Sequence, residues 1–497
     1  MQYRELILGG PGCGKTTRLL DIVSQHLKRG VKPSEIAYVA FTKKAAAEAR
    51  HRAYQQFGFH EKELPYFRTL HSFAFRELGL RSDQLMQDEH YDELGDALKV
   101  QFGKVEDDFG IISEQRERGS QWYHIEQQAR LRCMDLRKMC LMDGRHGFLQ
   151  VKYYQDSLKL FKEAREVYDY TDILEVWLER MHPLPVKVLI VDEAQDLSPL
   201  QWKIVDRMSS GVDSIYYAGD DDQAIYEWAG ADINHFLNLG VHTTVLPLSH
   251  RLPRQVFARC DRIAKKIKHR YAKNWQPAER DGAVVTIGSP EAAPVGTGQW
   301  MVLARNHYQL EGVAAFFKSK GHVFMFSGKS SIGTPDALAL RAWLRNQHNE
   351  YVCFSDVKRI LSRFYKSKFR GGKSSIFAMQ DDALIERSEL ASTYGIDLNE
   401  SWENNLVLKV DERSYLKTVL SHKIDLEEAP SVKISTIHAV KGGEADNVMV
   451  LPDMSAACYG SYVTRPDSES RVFYVACSRA KERLVLCHPQ GSNYFPL

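Results

Sequence analysis

Apolar residues along the chain fall into short unbroken runs and into stretches spaced three and four apart, with glycine-rich and polar turns between them. Arg4-Glu5-Leu6-Ile7-Leu8 reads as a short strand that enters a glycine-rich turn and then a helix with Leu19, Leu20, Ile22 and Val23 at its apolar positions. Val188-Leu189-Ile190-Val191 is apolar without alternation, the pattern of a strand buried on both faces of a parallel sheet. Val302-Leu303-Ala304-Arg305-Asn306 reads as a further strand end. Helical spacing recurs at Leu158, Phe161, Ala164, Val167 and Tyr168, and again at Val256, Cys260, Ile263 and Ile267 behind Pro253. No repeat, heptad or low-complexity linker is present, which excludes solenoid and coiled-coil architectures.

The chain has 497 residues, 44% apolar and 26% charged, with 66 Lys+Arg against 64 Asp+Glu. That is the balance of a globular protein, and the length predicts about three or four cores. The net charge of +2 lacks the global excess of a purely electrostatic polyanion binder, so such a partner would have to meet a local patch. The 8 cysteines form no C-x-x-C pair and follow no signal peptide, and they read as reduced thiols of a cytoplasmic protein. No apolar run approaches the roughly 18 to 20 residues of a membrane span, so no membrane partner is expected.

The turn after the first strand is Gly9-Gly10-Pro11-Gly12-Cys13-Gly14-Lys15-Thr16, followed by Thr17. Glycines at this spacing, between strand and helix, turn backbone N–H groups inward around a triphosphate; Lys15 offers a cation to the β and γ phosphates, and the Thr16 hydroxyl can ligate Mg²⁺. Such a site needs an acid at a neighbouring strand end to hold the metal. Asp192 follows the apolar run 188–191 and is suited to that task, and Glu193 beside it to orienting or deprotonating the attacking water. The plain alternatives are a glycine turn without ligand and a solvated acidic turn. ATP and Mg²⁺ are therefore the expected nucleotide and ion.

Asp192-Glu193-Ala194-Gln195-Asp196 resembles the DEAQD form of helicase motif II in the UvrD/Rep-like branch of superfamily 1. The other motifs follow in order: Ala40-Phe41-Thr42-Lys43-Lys44-Ala45-Ala46 resembles motif Ia, Thr69-Leu70-His71-Ser72 motif Ib, and the stretch from Gly219 to Ala231 motif III. Ser249-His250-Arg251 resembles motif IV, the stretch from Thr436 to Glu444 motif V, and the stretch from Arg471 to Ala480 motif VI.

The resemblance implies an α/β protein with two RecA-like domains, parallel sheets flanked by helices, each interrupted by a mainly helical insertion. Residues 1–77 and 184–247 would form the first, with 78–183 inserted; 248–335 and 431–497 the second, with a shortened insertion at 336–430. It further implies that Arg251 and Arg479 contact the γ phosphate when the second domain closes on nucleotide, that Gln223 senses that phosphate, and that Glu444 lies near the ribose. Two departures concern the adenine. No glutamine-containing leader precedes Gly9, and His250 stands where the family carries a base-stacking tyrosine, so relaxed nucleotide selectivity is expected.

For the strand, Phe41, Trp228 and neighbouring Tyr226 match stacking positions, and Thr42, Thr69, His71, Thr436 and His438 match strand-contact positions, chiefly to the phosphodiester backbone. Core aromatics and structural histidines are the plain alternatives. Two basic runs stand out: Arg251 to Lys273 holds nine Lys+Arg and one acid, and Lys358 to Lys373 holds seven and none. The first is expected to be mostly a solvated helix face; the second is left open between nucleic-acid contact and ordinary surface.

The implied function is an ATP-dependent DNA helicase or translocase moving 3′ to 5′ on single-stranded DNA and single/double-strand junctions, with replication or repair proteins as possible partners, in a bacterial or phage-infected cytoplasm. A nucleotide-gated DNA-remodelling ATPase without processive unwinding, or the motor of a helicase–nuclease complex, are the alternatives.

Overall fold

The computed structural model describes residues 2–103, 117–180 and 183–497. By internal contacts these fall into two compact units, residues 1–281 with 461–478, and residues 282–460 with 479–497. No helix among the described residues is long and apolar enough to cross a membrane.

The first unit is built on a six-stranded parallel sheet: β1 (Tyr3–Leu8), β2 (Ile36–Ala40), β3 (Phe67–Thr69), β4 (Val188–Val191), β5 (Ser214–Gly219) and β6 (His242–Val245), in the order β3-β2-β4-β5-β1-β6. The unbroken apolar runs follow from burial on both faces. Alternate residues go to opposite sides: Leu6, Leu8, Val39, Leu189, Val191, Ile215 and Tyr217 meet Trp177, Trp202 and Phe236. Ile7, Ile36, Tyr38, Val188, Ile190 and Ala218 meet Leu19, Leu20, Val23 and the small Ala46, Ala49 and Ala53. Because every strand is parallel, the segments that follow β1, β2, β3, β4 and β5 emerge at the same sheet edge, where ligands bind in open α/β sheets.

The stretch between β3 and β4 carries, among its described residues, helices Asp88–Leu98, Arg118–Leu131, Leu136–Asp143, Phe148–Arg165 and Tyr170–Arg180. Its apolar core gathers Tyr91, Trp122, Tyr123, Val151, Tyr154 and Leu158. It also buries charge: Arg130 contacts Asp169 at 2.9 Å, Asp172 at 2.6 Å and Glu175 at 2.7 Å, and Lys162 contacts Asp169 and Asp172 at 2.7 Å each.

After the first sheet come β7 (Leu248–Pro253), helix Arg254–Ala264 and β8 (Gln276–Ala278), a two-stranded parallel pair. Residues 248–281, expected with the second ATPase domain, group with the first unit, as do residues 461–478. The physical reason is a set of polar anchors: Ser249 Oγ donates to Pro11 O at 2.7 Å, the His250 N–H donates to Gly12 O at 2.9 Å, and the Lys268 N–H donates to Asp467 at 3.0 Å.

The second unit carries β9 (Ala283–Ile287), β10 (Trp300–Ala304), β11 (Phe324–Phe326), β12 (Lys329–Ser330), β13 (Tyr351–Cys353), β14 (Leu384–Glu386), β15 (Val432–Thr436), β16 (Ala445–Val450) and β17 (Ala480–Cys487). Its main sheet runs β12-β11-β15-β10-β16-β17-β9 and is parallel except for the β11/β12 pair. Residues 336–430 are mainly helical, with β13 and β14 as a small antiparallel pair, around a core that includes Trp343, Val357, Ile360, Leu390 and Leu416.

Candidate active site

β1 delivers the chain into Gly9–Gly14, and helix Lys15–Lys28 begins directly after it. Gly12 and Gly14 have φ of +73° and +77°, the left-handed region where a side chain is strained, and this is how consecutive backbone N–H groups can face one concavity. A Cβ on Gly12 would lie 2.3 Å from Arg251 Cβ, so the motif IV strand sits directly on the loop. Lys15 Nζ donates to Gly9 O at 2.8 Å, which spans the loop and holds the ammonium over it. Thr16 is partly exposed and Thr17 exposed at the start of the helix, and Cys13 is buried. Burial pushes the Cys13 thiol up to about 11, so it is a packing residue and not a thiolate.

Asp192 directly follows β4, with its carboxylate buried. Tyr38 Oη donates to its Oδ2 at 2.7 Å and the Glu193 N–H to its Oδ1 at 2.9 Å. Burial, with the charge of Glu193, pushes Asp192 up to about 6, against the pull of the Tyr38 hydroxyl and Lys15. Each oxygen keeps a second lone pair, and a hard cation with oxygen ligands suits that donor set together with the Thr16 hydroxyl. Glu193 takes a left-handed backbone, φ +55°, uncommon for a residue with a side chain; such conformations cluster at functional sites.

Behind these groups runs a polar chain that sequence reading did not resolve. Gln195 Nε2 donates to Glu193 Oε2 at 2.6 Å and to Asp196 Oδ2 at 2.9 Å, while Gln195 Oε1 accepts the Asp220 N–H at 3.0 Å. Asp220 Oδ2 in turn accepts from Gln223 Nε2 at 2.7 Å. The general-base candidate and the γ-phosphate-sensor candidate are thus tied to the same aspartate. Gln195 and Asp220 were visible inside motifs II and III, but a motif does not say which of its polar residues turn toward each other.

The first basic run is a solvated helix face along most of its length, with Arg254, Arg262, Lys265, Lys266 and Lys268 exposed, but its end is not. The helix stops at Ala264, and beyond it the Lys273 side chain is 1% exposed and contacts Asp220 at 2.7 Å, Asp221 at 2.5 Å and Asp222 at 2.7 Å. Arg270 binds both Asp222 oxygens, at 2.8 and 2.5 Å. Arg471 is buried too: its Nε donates to Asp221 O at 3.0 Å, its Nη2 to His269 O at 2.6 Å, and its Nη1 lies 3.3 Å from Glu227 Oε1. In the second run, Lys358 pairs with Asp381, Arg359 with Asp356 and Arg363 with Asp336, so those three cations serve the insertion's own fold.

The aromatic candidates converge in the first unit. Phe41, at the end of β2, lies 5.3 Å from Tyr226 between ring centroids, and Tyr226 lies 6.3 Å from Trp228, which is 37% exposed. Arg132 Nη2 donates to Glu227 O at 2.5 Å, fixing the turn that presents Trp228. Thr42 and Thr69 accept the Ala45 and Ser72 N–H groups at 3.1 and 3.2 Å, so both hydroxyl oxygens act as helix N-caps. His71 meets the Tyr170 ring edge-on at 5.9 Å.

His250 has an exposed ring, and Gln2 Nε2 donates to Ser209 O and Val212 O at the far end of β1 from the loop. Arg479, Glu444, Thr436 and His438 belong to the second unit. There Arg479 is 1% exposed and its Nη1 donates to Gly443 O at 3.3 Å; Glu444 is exposed, and Thr436 and His438 are half-buried at the end of β15.

Residues 1–243 match the UvrD/REP helicase N-terminal domain family, and residues 336–490 the UvrD-like helicase C-terminal domain family. The chain is similar to YjcD of Bacillus subtilis (strain 168), with 25% identity over 309 residues, 57% of this chain and 39% of that protein. It is 25% identical to DNA helicase II of Escherichia coli (strain K12) over 314 residues, 57% of this chain and 41% of that protein. Against the ATP-dependent DNA helicase Rep of the same organism it is 28% identical over 246 residues, 46% of this chain and 35% of that one. The chain thus spans about two fifths of the length of these relatives. With matching domain families across most of its length and the phosphate loop, motif II and motif III assembled on one sheet edge, it belongs to the UvrD-like helicases of superfamily 1.

Proposed function

We propose that this protein is an ATP-dependent DNA helicase or translocase that moves on single-stranded DNA. The observation that carries the reading is the polar chain that joins Glu193 and Gln195, after β4, to Asp220 and Gln223, after β5, on the same segment that carries the exposed ring of Trp228. Movement 3′ to 5′, action at single/double-strand junctions and service in replication or repair in the cytoplasm come from the resemblance alone, and belong to the same proposal.

The loop 9–16 would cradle the triphosphate, with Lys15 beside the β and γ phosphates. Mg²⁺, held by Thr16 and Asp192, would neutralise charge on the phosphate oxygens. Glu193 takes the proton of a water whose oxygen attacks the γ phosphorus, and ADP leaves. Gln223 reports the presence of the γ phosphate to its own segment, and Arg251 and Arg479 supply the cationic charge that the resemblance assigns them. Phe41, Tyr226 and Trp228 would stack bases, each stacked base being worth about 1 to 3 kcal/mol, with Thr42, Thr69, His71, Thr436 and His438 along the backbone.

The test is a pair of variants. Lys15→Ala should abolish ATP hydrolysis while single-strand binding persists. Trp228→Ala should keep ATPase activity but lose translocation in a streptavidin-displacement assay. Normal translocation by Trp228→Ala would refute the stacking assignment. Strand-stimulated ATPase with translocation but no duplex unwinding in the native protein would favour the remodelling alternative.

A further inference from the structure

Lys273 sits where a metal ion would sit. The side-chain oxygens of Asp220, Asp221 and Asp222 lie within 4.8 Å of one another and are buried, the arrangement of a cation site, and the Lys273 ammonium reaches all three at 2.5 to 2.7 Å. Burying a lysine is expensive, and replacing a buried charge cluster by apolar side chains of similar volume is often neutral or stabilising. The cluster's worth is therefore in the geometry it fixes.

We propose that Lys273 is a positioning residue for hydrolysis: it locks the Asp220 carboxylate, and through it the Gln223 amide, in one orientation. The inference rests on the reading of Gln223 as γ-phosphate sensor. Asp220 Oδ1 accepts from Lys273 Nζ at 2.7 Å and from the Asp222 N–H at 3.2 Å, which leaves Oδ2 turned to Gln223. A carboxylate only accepts, so the Gln223 nitrogen must face it, and the sense of the amide is set by chemistry and not by chance rotation. Burial works against ionised Asp220, and the Lys273 charge outweighs it, holding that carboxyl below its ordinary range.

The Asp220 N–H is held by Gln195, whose other end holds Glu193, so a tilt of Asp220 would be felt by the base and the sensor together. Lys273 also shares the 248–281 stretch with Arg251, whose strand packs on Gly12. One segment thereby sets an arginine over the phosphate loop and an ammonium behind the sensor.

The experiment is a double-mutant cycle on the full chain. Lys273→Arg keeps the charge, and so the folded core, but a planar fork cannot meet three carboxylates as one ammonium does; Lys273→Met removes the charge and is used only if circular dichroism shows it folded. Steady-state DNA-stimulated ATPase is measured for Lys273→Arg, Gln223→Ala and the pair. We expect kcat to fall ~10-fold in Lys273→Arg with little change in KM for ATP, and to fall no further when Lys273→Arg is added to Gln223→Ala. An equal loss in both backgrounds, or turnover within about twofold of native in Lys273→Arg, overturns the proposal. Gln223→Ala with native turnover overturns the sensor reading and the proposal with it.

Discussion

Replacing Tyr38 by phenylalanine deletes one buried hydroxyl and leaves the ring, stacked on Phe67 with centroids 5.2 Å apart, in place. That hydroxyl donates to Asp192 Oδ2 at 2.7 Å, and it favours the ionised carboxylate. A hydrogen bond to a charged group is worth about 1.5 to 3 kcal/mol, and about 1.4 kcal/mol corresponds to one pH unit. Asp192 is already pushed up to about 6 by burial and Glu193, so losing the donor raises it further, by about one to two pH units.

A carboxylate that must be ionised to hold Mg²⁺ loses function as pH falls through its pKa, so the acid limb of the proposed ATPase should lie at higher pH in Tyr38→Phe than in the native protein. Proton and metal compete for the same oxygens, so raising Mg²⁺ should pull the limb back toward lower pH in both proteins. The assay is kcat/KM for ATP between pH 5 and 9, chosen to bracket about one to two units around the native limb, at two Mg²⁺ concentrations. A limb that does not move in Tyr38→Phe, or one indifferent to Mg²⁺, would refute the assignment of Asp192 as the metal-holding acid tuned by Tyr38.

Three further outcomes are expected. Gly12→Ala should abolish ATP turnover, because its Cβ would stand 2.3 Å from Arg251 Cβ and 2.9 Å from Arg251 N at a φ of +73°, whereas Gly14→Ala meets nothing within 4 Å and should incur only the left-handed backbone cost of about 1 to 2 kcal/mol. Equal defects in the two would show that contact with the motif IV strand is not what the glycine protects. Arg130→Met should destabilise the helices around it, by up to about 3 to 5 kcal/mol in urea unfolding followed by hydrogen exchange, since Lys162 is then left to balance buried Asp169 and Asp172 without the guanidinium. Native stability there would contradict a net role for that pair network. In native protein at pH 8, alkylation followed by mass spectrometry should modify exposed Cys133 and spare Cys13, Cys477 and Cys487, whose thiols burial pushes up to about 11, 12 and 12 and so keeps protonated and shielded.

The phosphate loop and the acids of motif II were legible in the sequence because each is a local device, whereas motif III was found only through the resemblance. Consecutive glycines and a lysine bend one backbone around phosphates, and an acid at the end of an apolar run is carried to the strand's C-terminal edge whatever else the chain does. The parallel strands β1, β4 and β10 were legible for the same reason: burial on both faces leaves a run without alternation, as in Val188–Val191.

The partners were not legible, because partnership depends on which strands the crossovers make neighbours. Nothing in the sequence singled out Tyr38, whose hydroxyl meets Asp192 only because β2 lies beside β4. Lys273 belonged, by composition, to a solvated basic helix; the helix ends at Ala264, and the chain beyond it turns back so that an ammonium can neutralise three aspartates that would otherwise be buried and repelling. Residues 248–281 likewise joined the first unit through anchors such as Ser249 to Pro11, separated by more than two hundred residues along the chain. Local backbone chemistry is written in adjacent residues, whereas the pairing of buried charges is decided only when long-range packing removes water from around them.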